Sequence, residues 1–315
     1  MKNFTSLPLF ALVSTAVGWS QPAADMRPGL AYCSHGILKI TTISGKLLHT
    51  FKTSPEIGTF DFSPKSQRIV FAPRGPKGNG GQLYLLSLDT GKSERITHGF
   101  SYDSREVYSD PEFSPDGTEV LFAIHASSGG DAVMASGPFA ILNLRSRKVR
   151  KLSATVKING YGAAYGGSSR WSPDGRHIFL NFESGFELTD PSGQALEDTS
   201  SWIHDADMTF AVDWLGNACI VFIGGADWKE AEERPARALD LKTHQTTPLA
   251  SVLGTPLQQF ANLVAFSPSI WVLKEGAELT VHTDSEHWKV PGAGPDSNVR
   301  IFPDSAHVRI PENCR

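Results

Sequence analysis

The chain has 315 residues, a formal net charge of −4 and no run of Lys or Arg along its length. Because proteins that bind a phosphate backbone usually carry a basic patch, we expect no nucleic-acid partner. Glycine and proline are frequent, methionine is rare, and aromatic and β-branched residues recur in short runs, a balance that predicts many strands and turns.

Residues 1–20 have the organisation of a secretory signal peptide, with Lys2 ahead of an apolar stretch over residues 7–17 and then small residues. That stretch is too short to span a bilayer and no later segment reaches the length needed, so we expect no membrane span. The pattern predicts a periplasmic or secreted protein with residues 21–315 as a single domain. Lipidation at Cys33 is the open alternative, although a polar stretch separates this cysteine from the apolar run.

The first predicted strands after the signal peptide cover residues 37–42 and 47–51, where apolar and β-branched residues flank a short polar turn. This segment resembles the second half of the units that follow along the chain. It lacks the first half, a hairpin that begins with an aromatic residue.

A repeated phrase follows, in which an aromatic residue precedes Ser-Pro or its remnant, a polar turn and a short apolar strand. The aromatic residues of the six copies are Phe62, Phe113, Trp171, Trp214, Phe266 and Phe302. In the clearest copies, Pro-Asp-Gly supplies a fixed φ and then a residue that tolerates positive φ, which predicts a tight β-hairpin. Six recurrences argue against chance turns.

A second hairpin follows most copies, as in residues 82–97, 139–152, 186–193 and 238–249. Four short strands over about 35 to 60 residues are the size of one propeller blade. The N-terminal segment lacks a first hairpin and the C-terminus ends on one. We therefore predict a six-bladed β-propeller whose closing blade is shared by the two ends of the chain, which also removes an exposed sheet edge.

The phrase Phe-Ser-Pro-Asp-Gly, followed by strands that end in turns such as Asp-x-x-Thr-Gly, resembles the WD40-like PD40 repeat of the TolB propeller domain. The resemblance covers nearly the whole predicted mature chain and implies an all-β propeller of four-stranded antiparallel blades. TolB carries an α/β domain ahead of its propeller, whereas here the first blade is predicted soon after the cleavage site. The repeat occurs in proteins of many activities, so it constrains architecture more than chemistry.

The chain has three cysteines, and in an exported protein two of them can be oxidised to a disulfide. The shared closing blade brings Cys33 and Cys314 together, so we predict a disulfide between them. Cys219 then remains as an apolar core residue on its strand. The pairing depends on how the closing blade is built.

The antiparallel order predicts that the short turns lie on one face of the ring. The long, irregular links between second and third strands and between blades lie on the other, here called the long-loop face. Loops held by a rigid scaffold commonly carry binding residues. The ligand-binding candidates on these links are Tyr102, Arg105, Tyr161, Tyr165, Trp202, His204, Asp205, Asp207 and Trp228.

Each candidate has a functional and a structural interpretation. Tyr161 and Tyr165 lie among glycines, a composition suited to stacking on sugars or packing on peptides, and equally typical of a mobile loop. The run over residues 202–207 combines a ring, an imidazole and two carboxylates, but a metal would need ligands from other blades, so no metal is predicted. Arg105 fits a ligand carboxylate or an internal ion pair. Trp228 lies in an acidic and basic segment that suggests a solvated lid.

The sequence contains no Gly-x-Ser-x-Gly elbow, no phosphate-binding Gly-x-x-x-x-Gly-Lys-Ser/Thr loop and no Cys-x-x-Cys pair. Serine-hydrolase, nucleotide and thiolate-metal sites are therefore unsupported, and no catalytic residue or cofactor is predicted. The sequence favours a monomeric protein- or glycan-binding module. The alternative is a carbohydrate lyase or hydrolase with its site at the central channel, where blades gather titratable side chains.

Overall fold

The structure is a computed structural model and describes residues 28–34, 36–63, 65–73, 82–97, 106–127, 133–152, 169–182, 185–197, 209–224, 236–253, 263–267, 270–275, 277–283, 287–293, 298–302, 310 and 312–315. These ranges contain 24 strands, one short helix, α1 (Leu249–Leu253), and a 3-10 helix at Glu312–Cys314. No helix in them is long and apolar enough to cross a membrane.

The strands form six four-stranded antiparallel sheets that close into a ring, which confirms the predicted six-bladed β-propeller. Blade 1 contains β1 (Pro28–Ser34), β2 (Ile37–Thr42), β3 (Leu47–Lys52) and β24 (Val299–Ile301); blade 2 contains β4 (Ile57–Phe62), β5 (Arg68–Pro73), β6 (Tyr84–Ser87) and β7 (Ser93–Arg95); blade 3 contains β8 (Glu106–Phe113), β9 (Glu119–Ser127), β10 (Val133–Asn143) and β11 (Val149–Lys151). Blade 4 contains β12 (Arg170–Trp171), β13 (Ile178–Phe182), β14 (Gly185–Thr189) and β15 (Ala195–Glu197); blade 5 contains β16 (Thr209–Leu215), β17 (Cys219–Gly224), β18 (Arg237–Asp240) and β19 (Thr246–Pro248); blade 6 contains β20 (Leu263–Ser267), β21 (Ile270–Glu275), β22 (Glu278–Thr283) and β23 (His287–Lys289).

Both ends of the chain build blade 1, as predicted, but in a different proportion. The prediction gave each terminus two strands, whereas the N-terminal segment supplies β1, β2 and β3 and the C-terminal segment supplies β24. The apolar residues Leu30 and Ala31 explain the difference, because they form a strand that pairs with Ile301 and Arg300 of β24. β1 therefore occupies the position that the second C-terminal strand was expected to fill.

Alternation of side chains along the strands packs neighbouring blades against each other. On β5, Ile69 and Phe71 face the cluster shared with blade 1, while Val70 and Ala72 face the cluster shared with blade 3. The other interfaces are filled in the same way, and a sixth cluster joins blade 6 to blade 1 through residues such as Val272 and Leu30. The hydrophobic core is thus divided into six interfaces between blades.

The Ser-Pro-Asp-Gly phrases form the predicted hairpins. In blade 3, the N–H of Gly117 donates to Ser114 O at 2.8 Å, and the N–H of Ser114 donates to Glu119 O at 2.9 Å. Gly117 has a φ of 73°, a conformation that glycine adopts without the steric cost of a side chain. The Asp116 carboxylate accepts the Ser114 hydroxyl at 2.6 Å, so the turn residues satisfy one another.

One edge strand of each sheet lies beside the channel, and these inner strands are β24, β4, β8, β12, β16 and β20. Among them, β4 contacts β8 and β24, β8 contacts β12, and β20 contacts β16 and β24. Turns after first and third strands are short, whereas the long links, among them residues 152–169, 198–208, 225–236 and 249–262, leave from the ends of second and fourth strands. Antiparallel order puts those strand ends on one face, which defines the long-loop face in the structure.

The predicted disulfide is wrong. The structure joins Cys219 to Cys314, whereas Cys33 lies outside the disulfide as a buried thiol whose Sγ donates to Ile57 O at 3.2 Å. The prediction assumed that the C-terminal residues stay in blade 1. Because β1 takes that place, Cys314 instead lies against the turn between β16 and β17, where the N–H of Ala218 donates to Cys314 O at 3.2 Å.

Candidate functional site

Charged side chains from five blades converge at the channel. Asp61 on β4, Glu112 on β8, Arg170 on β12 and Asp213 on β16 each directly precede the aromatic residue of their repeat, and Arg300 comes from β24. Alternation explains the placement, because each of these aromatic rings is buried between blades and the residue before it faces the other way. These five residues are called the channel cluster.

The carboxylates of the channel cluster are bound by backbone N–H groups. Asp61 Oδ2 accepts the N–H of Phe113 in blade 3 at 2.8 Å, and Glu112 Oε1 accepts the N–H of Trp171 in blade 4 at 3.0 Å. Asp213 Oδ1 accepts the N–H of the next residue, Trp214, at 2.8 Å. The first two bonds run from one blade to the next, so these carboxylates hold adjacent inner strands together.

The two arginines of the cluster are held differently. Arg170 Nη1 lies 3.4 Å from Glu112 Oε2, and its Nε lies 3.3 Å from Asp213 Oδ2 and donates to Val212 O at 3.2 Å. Arg300 Nε lies 4.0 Å from Asp61 Oδ1 and has no hydrogen-bond partner among the described residues. Arg170 therefore links three blades, while Arg300 is loosely paired.

Burial is the largest single effect on the pKa of each group in the cluster. It raises the pKa of Asp61 and of Asp213, and it raises the pKa of Glu112 well above its usual value, against the opposing effect of Arg170. Burial alone would lower the pKa of Arg170, but attraction by Asp213 and Glu112 outweighs it and raises the pKa. Burial and repulsion by Arg170 lower the pKa of Arg300. Three carboxyl groups face two guanidinium groups, so uptake of one proton would make the cluster neutral.

Asp110 lies close enough to influence both arginines of the cluster electrostatically. It has a φ of 49°, at an irregularity in the pairing of β8 with β9. Its N–H donates to Thr59 Oγ1 of blade 2 at 2.9 Å, and its Oδ2 accepts the Ser109 hydroxyl at 2.7 Å. Blades 2 and 3 therefore contribute three of these four acidic side chains, Asp61, Asp110 and Glu112, and blade 5 contributes Asp213.

Solved structures with the same architecture were compared with this chain. TolB from Acinetobacter baumannii matches with a TM-score of 0.59 at 17% identity, covering 89% of this chain and 68% of that one. A putative TolB from Agrobacterium tumefaciens gives 0.50 at 16% identity, covering 89% and 99%. An oligogalacturonate lyase in complex with manganese gives 0.55 at 10% identity, covering 80% and 70%. No family model and no curated protein matches the sequence.

The fold is a TolB-type propeller. At these identities the likeness establishes the architecture alone, and the same architecture serves proteins of different activities. In this TolB-type propeller, no group of three or more His, Cys, Asp or Glu side chains within the described ranges is arranged to hold a metal ion.

All nine ligand-binding candidates from the sequence lie outside the described residues: Tyr102, Arg105, Tyr161, Tyr165, Trp202, His204, Asp205, Asp207 and Trp228. The channel cluster, in contrast, was missed by the sequence analysis. A signal for it exists, because four of the six repeats have Asp, Glu or Arg directly before the aromatic residue. Arg300 precedes its aromatic residue by two positions and has no such signal.

A groove of about 440 Å³ lies on the opposite face, among the short turns of blades 2, 3 and 4. Its acidic residues are already engaged: Asp116 accepts the Ser114 hydroxyl, Asp174 accepts the Ser172 hydroxyl at 2.6 Å, and Glu119 pairs with Arg150 at 3.4 Å. These contacts stabilise the turns. In the channel cluster, by contrast, the ion pairs of Arg170 with Glu112 and Asp213 join three blades.

Proposed function

We propose that this TolB-type propeller is an exported, monomeric protein- or glycan-binding module that uses its long-loop face. The observation that carries the proposal is the unequal distribution of links around a rigid ring. Short turns with satisfied hydrogen bonds close one face, whereas the longest links leave from strand ends on the other. Such links are free to vary in sequence while the scaffold fixes their ends.

The composition of these links supports the same proposal. They carry the aromatic candidates Tyr161, Tyr165, Trp202 and Trp228, and aromatic side chains supply large contact areas for sugars and peptides. The polar candidates Tyr102, Arg105, His204, Asp205 and Asp207 are available to orient a bound ligand by hydrogen bonds.

Export rests on the signal-peptide pattern of residues 1–20, which lie outside the described residues. The disulfide between Cys219 and Cys314 fits this proposal, since disulfides persist in oxidising compartments. We therefore place the protein in the periplasm or outside the cell.

The test compares the two faces. A double variant, Tyr161→Ala with Trp202→Ala, alters the long-loop face, and Lys65→Ala with Asp174→Ala alters the short-turn face as a matched control. The first measurement is binding of each purified protein to an array of neutral and acidic oligosaccharides. The second is crosslinking to proteins of the exported fraction from photoreactive residues placed at the same positions. We expect the long-loop variant alone to lose binding. Loss confined to the short-turn variant, or no ligand in either assay, would contradict the proposal.

The second candidate function is a carbohydrate lyase or hydrolase, favoured by the convergence of titratable groups with displaced pKa values in the channel. A buried carboxyl group with a raised pKa, such as Glu112, has the property of a general acid. Against this function, Glu112 is bound to Trp171 N–H and lies beside Arg170, so interblade bonding already accounts for it.

Incubation with polyuronate and with neutral polysaccharides, followed by measurement of new reducing ends, tests this candidate. Activity that disappears in Glu112→Gln and persists in Lys65→Ala would support it. No release of reducing ends by the folded protein would leave the binding module as the function.

A further inference from the structure

β24 and the residue before it present two polar side chains toward blade 2 and the channel. Val299 packs in the apolar cluster shared with blade 6, so alternation along the strand turns Asn298 and Arg300 the other way. The carbonyl of Asn298 accepts the N–H of Cys33 at 3.1 Å, which continues the pairing of β24 with β1. Because each inner strand begins at the long-loop face, Asn298 lies between that face and Arg300.

Each of these two side chains has a buried polar atom that finds no hydrogen-bond partner within the described ranges. The atoms are Oδ1 of Asn298 and Nε of Arg300. Only 9% of the Arg300 side chain is exposed, and its Nη1 donates to Val299 O at 3.2 Å. Buried polar groups in folded proteins are almost always satisfied by protein, water or a ligand. Both atoms therefore indicate a group that enters from the channel.

The gap between Arg300 and Asp61 defines the chemistry of that group. Arg300 Nε lies 4.0 Å from Asp61 Oδ1, too far for a hydrogen bond, and Asp61 Oδ2 already accepts the N–H of Phe113. A bridging group must accept from the guanidinium and donate to the carboxylate. A hydroxyl does both, whereas a peptide N–H or an ammonium group only donates and a carbonyl or carboxylate oxygen only accepts. With Asn298 Oδ1 as a further acceptor, the site suits a ligand that carries several hydroxyl groups, as a sugar does.

The charge of the channel wall disfavours acidic sugars. The channel cluster and Asp110 together hold four acidic side chains and two arginines, an excess of negative charge when all are ionised. A uronate would bring a further carboxylate to this wall and lose affinity by repulsion. A neutral sugar supplies the hydroxyl groups without adding charge.

The described part of the wall is not sealed from solvent. The side chains of Asp61 and Asp213 are 15% and 26% exposed. Thr59, Asp110 and Asn298, which lie nearer the long-loop face, are also partly exposed. These residues are therefore accessible to a group that enters along the channel.

We propose that the long-loop end of the channel binds a neutral sugar residue. One hydroxyl accepts a hydrogen bond from Arg300 and donates to Asp61, and a second hydroxyl donates to Asn298. This inference narrows the ligand of the proposed function to a glycan without carboxylates, and it rests on that function for the face from which the ligand enters.

Isothermal titration calorimetry of the purified mature protein at neutral pH tests the ligand class. The probes are linear tetrasaccharides of glucose, mannose and galactose, together with tetragalacturonate, which differs from the galactose probe by its carboxylates. We expect a neutral probe to bind, and tetragalacturonate to bind at least about 10-fold more weakly than that probe. Equal or tighter binding of tetragalacturonate, or no binding of any neutral probe, would overturn the proposal.

Two variants test the site. Asn298→Leu and Arg300→Met each remove one of the unpartnered atoms, and each should weaken binding of the neutral probe about 10-fold or more. Arg150→Met is the matched control, because β11 lies at the outer edge of blade 3, and it should bind like the wild type. Asn298→Leu leaves every charge of the cluster in place, so it decides the question if Arg300→Met fails to fold. Wild-type affinity in the folded variants would assign the bridging position to water and overturn the proposal.

The same titrations separate this inference from the proposed function. If Tyr161→Ala with Trp202→Ala loses binding while Asn298→Leu and Arg300→Met retain it, the long links bind the ligand and the channel does not. Crosslinking to an exported protein without binding of any neutral probe would likewise leave the binding module in place and refute the sugar site.

Discussion

Blades 2 to 5 and blade 6 occupy equivalent positions in the ring but meet their neighbours at the channel in different ways. In blades 2 to 5 the residue before the repeat aromatic is Asp61, Glu112, Arg170 or Asp213, and these residues bond to one another or to neighbouring backbone. In blade 6 the corresponding residue is Ala265, which packs in an apolar cluster. Blade 6 instead lies between the two blades to which the C-terminal residues are attached, blade 1 through β24 and blade 5 through the disulfide. Buried charges thus join one part of the ring, and a covalent attachment of the chain end secures the other.

Removal of Arg170 should produce the largest effect. The variant Arg170→Met leaves Glu112 and Asp213 buried without their guanidinium partner, a change that costs about 3–5 kcal/mol in comparable buried pairs. The measurement is the free energy of unfolding in urea at neutral pH.

Arg150→Met is the matched control, because Arg150 also lies 3.4 Å from a carboxylate oxygen, that of Glu119, but its side chain is 42% exposed. Exposed pairs contribute about 0–1 kcal/mol, so this variant should lose no more than that. Equal losses in the two variants would show that the buried cluster does not join the blades more strongly than a surface pair.

On the blade 6 side, Gly216→Ala should weaken the attachment of the C-terminal segment. Residue 216 has a positive φ, and the Cβ of an alanine there would meet Cys314 O. Gly175→Ala is the comparison, because residue 175 has a φ of 72° but a Cβ there would meet nothing closer than Pro115 Cδ at 3.8 Å. We expect Gly175→Ala to cost about 1–2 kcal/mol, the strain of the left-handed conformation alone, and Gly216→Ala to cost more. Urea unfolding compares the two, and equal costs would mean that the turn and the chain end are not in close contact.

The repeated sequence motif predicted the fold because each copy specifies a local structure. Pro-Asp-Gly turns and alternating strands are encoded in adjacent residues, so Phe113 or Trp171 with the residues that follow it predicted a hairpin without knowledge of the rest of the chain. The partner of Cys314 was not predictable in this way. It depends on whether Leu30 or a C-terminal residue pairs with Ile301, a choice between segments at opposite ends of the sequence.

The channel cluster was less predictable from the sequence than the hairpins and more predictable than the partner of Cys314. Its members are visible in the repeats as the residue before each aromatic, but their convergence depends on ring closure, and a single copy of the repeat looks like an ordinary strand with one polar residue. Arg300 shows the limit of the pattern, because one irregular position in the last repeat places a guanidinium where alignment of the copies suggests Ile301. The loop candidates remain predictions.

The smallest effect, and the one that isolates the cluster, is the dependence of stability on pH. Burial raises the pKa of Glu112 above the value of 4.5 that it has when unfolded, so the folded state retains a proton that the unfolded state releases. Stability from this group is therefore fully present below pH 4.5 and is lost as pH rises through the raised pKa, with Asp61 and Asp213 acting in the same direction. The slope for one proton is at most about 1.4 kcal/mol per pH unit.

Urea unfolding between pH 4.5 and 8 should therefore show wild-type stability falling toward high pH, and Glu112→Gln should flatten that fall, because the amide can still accept the N–H of Trp171 but does not titrate. Asp174→Asn is the control on an exposed turn. Burial, the largest single effect, would raise the pKa of Asp174, but the Ser172 hydroxyl and the N–H of Arg176 together outweigh it and lower the pKa, so the contribution of this group is lost only as pH falls below 3.8. If stability still falls toward high pH in Glu112→Gln, the proton belongs to Asp61 or Asp213. The variants Asp61→Asn and Asp213→Asn, measured in the same way, then decide between these two carboxyl groups.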